Sequence, residues 1–185
     1  ERLSYGCTSL KSLNMSNYKF QQYFRYQFRE ATNLQELILD NCDFSLLESF
    51  ERIFEEMPNV TKISLSNVTF PTNLVDCTCL FRNCSKLTDL TITGKNNVRL
   101  KPSDAQYMFY GLKEMTNFDN AFLGIDFSNC TSLYCTFHDC SSLKTIDISS
   151  LDLRRVSSLD STFKNCINLV SVIGLETQST PMLTT

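Results

Sequence analysis

The chain has no tryptophan, one histidine and only five glycines. A single histidine leaves little for imidazole metal sites or acid–base relays, and five glycines leave little for phosphate-cradling loops. Long apolar runs are missing too. The uncharged stretch near the end, 165–175, has 11 residues, far short of the roughly 20 that a membrane span needs. An excess of positive charge is also absent. Seventeen Lys and Arg against 20 Asp and Glu give a net charge of −3, which argues against a generic nucleic-acid footprint. The chain opens at Glu1 without methionine or a signal peptide, so an excised or processed piece is expected and targeting is not legible.

What is present is core-forming material. Of 185 residues 42% are hydrophobic, including 14 Phe and 7 Tyr, enough to fill one domain. Nine cysteines are many for this size, and the number is odd. A chain this long builds a core without disulfide staples, so the spacing of the cysteines carries more information than their count.

That spacing is part of a repeat. Six segments follow Phe-x-x-(Cys or similar)-x-x-(Leu or similar)-x-x-apolar, beginning at Phe28, Phe54, Phe81, Phe109, Phe137 and Phe163. A seventh, lacking its Phe, opens at Cys7-Thr-Ser-Leu10-Lys-Ser-Leu13. The anchors 7, 31, 57, 84, 112, 140 and 166 are spaced by 24, 26, 27, 28, 28 and 26 residues. Such a period marks a solenoid. Leu87/Leu90/Ile92, Leu143/Ile146/Ile148 and Val60/Ile63/Leu65 end in the alternation of a short half-buried strand. Repeats of this length and signature predict an α/β leucine-rich-repeat solenoid over 1–175, with about seven 24–28-residue units. Its parallel sheet lines a concave side, and short helical turns such as 158–163 lie on the convex side. A second apolar site follows each strand (Phe20, Phe44, Phe70, Leu100, Phe127, Leu153), and Ser16-Asn17, Asp40-Asn41 and Ser66-Asn67 supply turns. The fifth unit departs from the pattern: Asn120 falls where an inward apolar residue belongs, 121–124 look inserted, and 93–106 is the most polar return loop. The first unit opens mid-repeat without a polar cap, so a longer parent array or self-association through that end is expected. Residues 176–185 read as a polar tail.

Residues 142–166, with Ser-Leu-Lys-Thr-Ile-Asp-Ile-Ser and Phe-Lys-Asn-Cys, resemble the repeat of BspA-like surface leucine-rich-repeat proteins, in the branch found in bacterial lipoprotein-associated repeat domains. The likeness runs from residue 3 to about 175 and is strongest over 137–172. The resemblance implies a secreted or surface-attached binding protein that engages host matrix or neighbouring cells. It implies no catalysis, no cofactor and no defined ligand residues.

The residues give the chemical alternatives little support. Cys7, Cys84, Cys140 and Cys166 share a repeat position that Ala31, Met57 and Leu112 also occupy, as a small buried hydrophobe would. Cys140 and Cys166, on adjacent rungs, are spaced so that a disulfide is permitted but not required. Cys130, Cys135, His138 and Cys140 have metal-ligand chemistry without the paired spacing of zinc sites. No metal site is therefore expected there or at Cys77, Cys79 and Cys84. A nucleophilic Cys135 with His138 and Asp139 lacks an oxyanion loop. Binding surfaces remain. The outward strand positions form a concave stripe: Ser12, Asn14, Glu36, Ile38, Asp40, Lys62, Ser64, Asp89, Thr91, Asn117, Asp119, Thr145, Asp147, Ser171 and Ile173. Its carboxylates and hydroxyls suit a basic or sugar-like ligand, although it lacks aromatic anchors. Tyr23, Arg25, Tyr26 and Arg29 form a weaker convex patch. The expected function is a non-enzymatic protein- or glycan-binding module at the cell surface or secreted, with host extracellular matrix among its partners. The alternatives are a structural spacer of a larger surface protein and an intracellular scaffold or effector in a reducing compartment. No nucleic-acid partner is expected.

Overall fold

A computed structural model describes residues 7–22, 24, 28 and 31–175. Convex-patch residues Tyr23, Arg25, Tyr26 and Arg29 and the tail 176–185 lie outside the described residues. The fold is a parallel-strand β-solenoid of about six turns with little helix. One sheet has the order β1 (Ser12–Asn14), β2 (Glu36–Ile38), β3 (Lys62–Val68) and β5 (Asp89–Gly94). A small second sheet pairs β4 (Val75–Asp76) with β6 (Pro102–Asp104), and a third pairs β7 (Thr145–Asp147) with β8 (Ser171–Ile173). All these pairings are parallel.

The repeat dictates what stacks inside. Leu13, Leu37, Ile63 and Leu90 are in register on the first sheet, and Ile146 pairs with Val172 on the third. The repeat's Phe residues form a column running through the molecule. Successive rings from Phe28 through Phe54, Phe81, Phe109 and Phe137 to Phe163 stack at 5.8, 5.3, 5.7, 5.5 and 5.5 Å. Rungs sit about 4.8 Å apart, so near-parallel rings at these centroid distances are offset, the arrangement aromatic pairs prefer. The second apolar row (Phe20, Phe44, Phe70, Leu100, Phe127, Leu153) is also buried.

The turns that carry the Phe column are not helices. In a helix an N–H bonds four residues back within its own segment. Here the N–H groups of Cys79, Phe81 and Asn83 donate across to the carbonyls of Gln106, Met108 and Tyr110 at 2.9, 2.9 and 2.8 Å. Arg52, Phe54 and Glu56 donate in the same way to Thr78, Leu80 and Arg82, and Cys135, Phe137 and Asp139 to Asp160, Thr162 and Lys164. Reaching the next rung requires left-handed backbone at alternating points: 52 and 56, 79 and 83, 107 and 111, 135 and 139, 161 and 165. Gly111, Asn83, Asn165 and Asp139 tolerate that conformation readily. The predicted helix over 158–163 is therefore a rung of this ladder, because its carbonyls at Ser158, Asp160 and Thr162 accept from Leu133, Cys135 and Phe137 of the neighbouring turn. Asn17, Asn41 and Asn67 take the same left-handed conformation at the corners after the strands, and Asn67 Nδ2 donates to Asn41 Oδ1 at 2.7 Å.

Buried hydroxyls and thiols complete the ladder. Thr136 Oγ1 and Thr162 Oγ1 donate to the carbonyls of Ala105 and Leu133, each at 2.9 Å. Cys84, Cys140 and Cys166 donate Sγ–H to the carbonyls of Phe54, Phe109 and Phe137 at 2.9, 3.3 and 3.0 Å. All nine cysteines are free thiols. Eight are buried, and Cys7 is exposed, which corrects its expected place in the buried anchor row. Cys7 lies on the first described rung, with no described rung packed over its outer side.

The fifth unit breaks the strand row. A four-residue helix, α1 (Asp119–Phe122), stands where a strand was expected; it buries Ala121 and Phe122 and leaves Asn120 exposed. The return loop 93–106 contains β6 and left-handed Asn96 and Asn97.

Candidate functional site

The outward face of the first sheet carries two rows. Ser12, Glu36, Lys62 and Asp89 are in register along one, and Asn14, Ile38, Ser64 and Thr91 along the other. Lys62 Nζ lies 3.6 Å from Glu36 and 4.0 Å from Asp89, and Ser12 Oγ donates to Glu36 at 3.3 Å. The three charged side chains are 43–50% exposed, so these pairs add little stability and leave the groups available to a ligand.

The structure divides the predicted stripe. Glu36, Ile38, Lys62 and Asp89 share the first sheet. Asp40 lies beyond β2 and holds the next corner, accepting from Ser64 Oγ at 2.6 Å and Ser66 N–H at 3.0 Å. Asp119 opens α1 rather than extending a strand, and Asn117 Oδ1 accepts from its N–H at 3.3 Å. Asp147 sits on β7 in the third sheet, where Ser149 hydrogen bonds hold its carboxyl below the usual range. Asp40, Asp119 and Asp147 therefore shape corners or belong to other elements, which does not follow from their repeat phase.

The other constellations are packed among their own neighbours. His138 stacks on Tyr110 with ring centroids 4.8 Å apart, and its Nδ1 lies 3.3 Å from Asp139 Oδ2. Burial works to raise Asp139, but Asn165, Tyr110 and His138 outweigh it and hold the carboxyl low. Burial and Asp139 together push Tyr110 up. Cys135 is buried. Burial pushes Cys84 up to about 12 and Cys130 up to about 11. It also raises Cys77 and Cys140, opposite to what a nucleophilic thiol needs. Among the described residues no group of three His, Cys, Asp or Glu side chains is placed to hold a metal ion. No helix there is long and apolar enough to cross a membrane.

Sequence reasoning missed a polar row beside the Phe column. The residues directly after Phe54, Phe81, Phe109 and Phe137 stand on it: Glu55, Arg82, Tyr110 and His138. Glu55 is buried and accepts from Arg52 at 3.3 Å and Arg82 at 3.0 Å. The Arg82 guanidinium lies 5.7 Å from the Tyr110 ring centre. The fixed offset from the repeat Phe was the available signal.

A family described as "Mycoplasma protein of unknown function, DUF285" matches residues 2–117 and again 75–180. The two matches overlap over 75–117, as a repeat array allows. None of the curated proteins matches the chain.

Proposed function

The chain belongs to this DUF285 family, and on that premise we propose that it is a non-enzymatic protein- or glycan-binding module of the adhesin or host-interaction type. The observation that carries this reading is the contrast between the two sides of the first sheet. The inward row (Leu13, Leu37, Ile63, Leu90) is uniformly aliphatic, while the outward row in the same register changes chemistry at every rung: Ser12, Glu36, Lys62, Asp89. A frame that keeps its core constant and varies its surface suits recognition, and solenoids use extended faces of this kind. In this reading the units are seven leucine-rich repeats of the BspA-like surface type, displayed at the cell surface or secreted. The alternating strand motif and the 24–28-residue period support that assignment. Host extracellular-matrix proteins or glycans are the partners.

The test is binding of the purified chain to immobilised collagen, fibronectin and laminin and to a glycan array. It runs beside a variant with Glu36→Ala, Lys62→Ala and Asp89→Ala. Asp40 stays intact because it holds a corner. Saturable binding that the triple variant weakens at least about tenfold is expected. No binding, or binding that the variant leaves unchanged, overturns the reading.

One observation favours the spacer or assembly reading. Ile167 and Val170 are 80% and 86% exposed, where the equivalent positions one unit earlier hold Ser141 and Lys144. Concentration-dependent association in sedimentation, abolished by Ile167→Ser with Val170→Lys, would support it over the adhesin reading. The free thiols are the feature that favours a scaffold in a reducing compartment.

A further inference from the structure

Three successive corners leave a groove of about 560 Å³ outside the second apolar row, lined by segments 21–22, 45–48 and 71–75. This volume falls in the range of small-molecule sites. The groove is built in two layers. Its floor is apolar: Leu47 and Val75 are buried, and Leu46 and Leu74, each 47% exposed, present their aliphatic groups to the opening. Its rim is amide and hydroxyl, from Gln21, Ser45, Thr72 and Asn73, all exposed.

We propose that this groove binds a short neutral oligosaccharide, at a site separate from the strand face. Three observations select that class. Side-chain amides each offer a donor and an acceptor in one plane, which matches adjacent sugar hydroxyls, and the leucines match the C–H face of a pyranose ring. Charge is largely compensated. The carboxylate in the lining, Glu48, accepts from Gln22 Nε2, and nearby Lys19 pairs with Asp43 at 3.2 Å, so among the described residues an anionic ligand finds no free cation in the lining. An extended peptide finds part of the backbone already taken. The N–H groups of Ser45, Leu47 and Val75 donate to Asp43 Oδ1 and to the carbonyls of Phe44 and Lys101, which disfavours the strand-addition mode.

The test uses the full chain with maltotriose and triacetylchitotriose as neutral probes, trigalacturonate as the acidic counterpart and a proline-rich decapeptide as the peptide probe. Binding is followed by saturation-transfer NMR and calorimetry. The variants are Gln21→Ala with Asn73→Ala for the groove, and the Glu36, Lys62 and Asp89 triple variant for the strand face; a thermal melt checks that each folds. At least one neutral trisaccharide is expected to bind, with affinity falling at least about tenfold in the groove variant and staying unchanged in the triple variant. Four results overturn the proposal: no binding of either neutral sugar, equal binding to the groove variant, tighter binding of trigalacturonate, or groove-dependent binding of the peptide alone. A strand-face ligand lost only in the triple variant tests the surface-module reading separately.

Discussion

Replacing Phe109 with Ala destabilises the fold by about 3–5 kcal/mol in urea denaturation, the usual cost of deleting a buried ring. Phe109 is fully buried in the middle of the Phe column, between Phe81 at 5.7 Å and Phe137 at 5.5 Å, with Phe118 a further 4.9 Å neighbour. Removing it opens a cavity and breaks both stacks, each worth about 0.5–1.5 kcal/mol beyond its buried area. The surrounding rungs cannot collapse into the gap, because their spacing is set by hydrogen bonds on either side. Phe163→Ala should cost roughly half as much, since Phe163 is half-buried and stacks on Phe137 alone among the column residues. Equal losses at the two positions would contradict a column with a centre and an end.

The second large effect lies in the irregular fifth unit. Gly124→Ala should destabilise by about 3 kcal/mol, near the upper end of overpacking costs. A Cβ there would sit 2.2 Å from the carbonyl oxygen of Ile92 and 2.5 Å from its carbonyl carbon. Those are backbone atoms of β5 inside the first sheet, so neither side gives way without moving α1 or the strand. Gly111→Ala meets the side-chain oxygen of Asn83 at 2.7 Å, at φ +73°. A side-chain tip can rotate aside, so the expected loss is nearer the 1–2 kcal/mol of an L residue held in left-handed backbone. Urea midpoints of the two variants check the order, and a Gly124→Ala protein as stable as the parent would show that the turn after α1 does not lie against the Ile92 backbone of β5.

Much of this architecture is legible in the chain, because one period writes the same residue type into the same row many times. The Phe column, the second apolar row and the inward strand positions Leu37, Ile63, Leu90 and Ile146 all follow from phase. The conformation of the turns does not. Leu159 and Phe163 stand four apart, a spacing shared by a helix and by a turn whose N–H groups reach the next rung. Only the location of the acceptors, 25 residues away for Cys135, Phe137 and Asp139, separates the two. The candidate site shows the same division. Glu36, Lys62 and Asp89 fall on one face because their strands pair in register. Asp40 and Asp119 have the right phase but are taken by a corner and by α1, where local hydrogen bonding overrides the repeat. The corner groove carries no single-segment signal, since each of its three walls is an unremarkable loop.

The central claim is that adjacent rungs are hydrogen-bonded to each other through both strands and turns. Scalar coupling across hydrogen bonds, measured by NMR on deuterated, isotope-labelled protein, tests it most directly. The account predicts coupling from the Phe81 amide nitrogen to the Met108 carbonyl carbon, and from Phe137 to Thr162, matching N–H···O distances of 2.9 and 3.0 Å. Coupling from Phe81 to the carbonyl of Cys77, four residues back in its own segment, would make these turns helices and contradict the account.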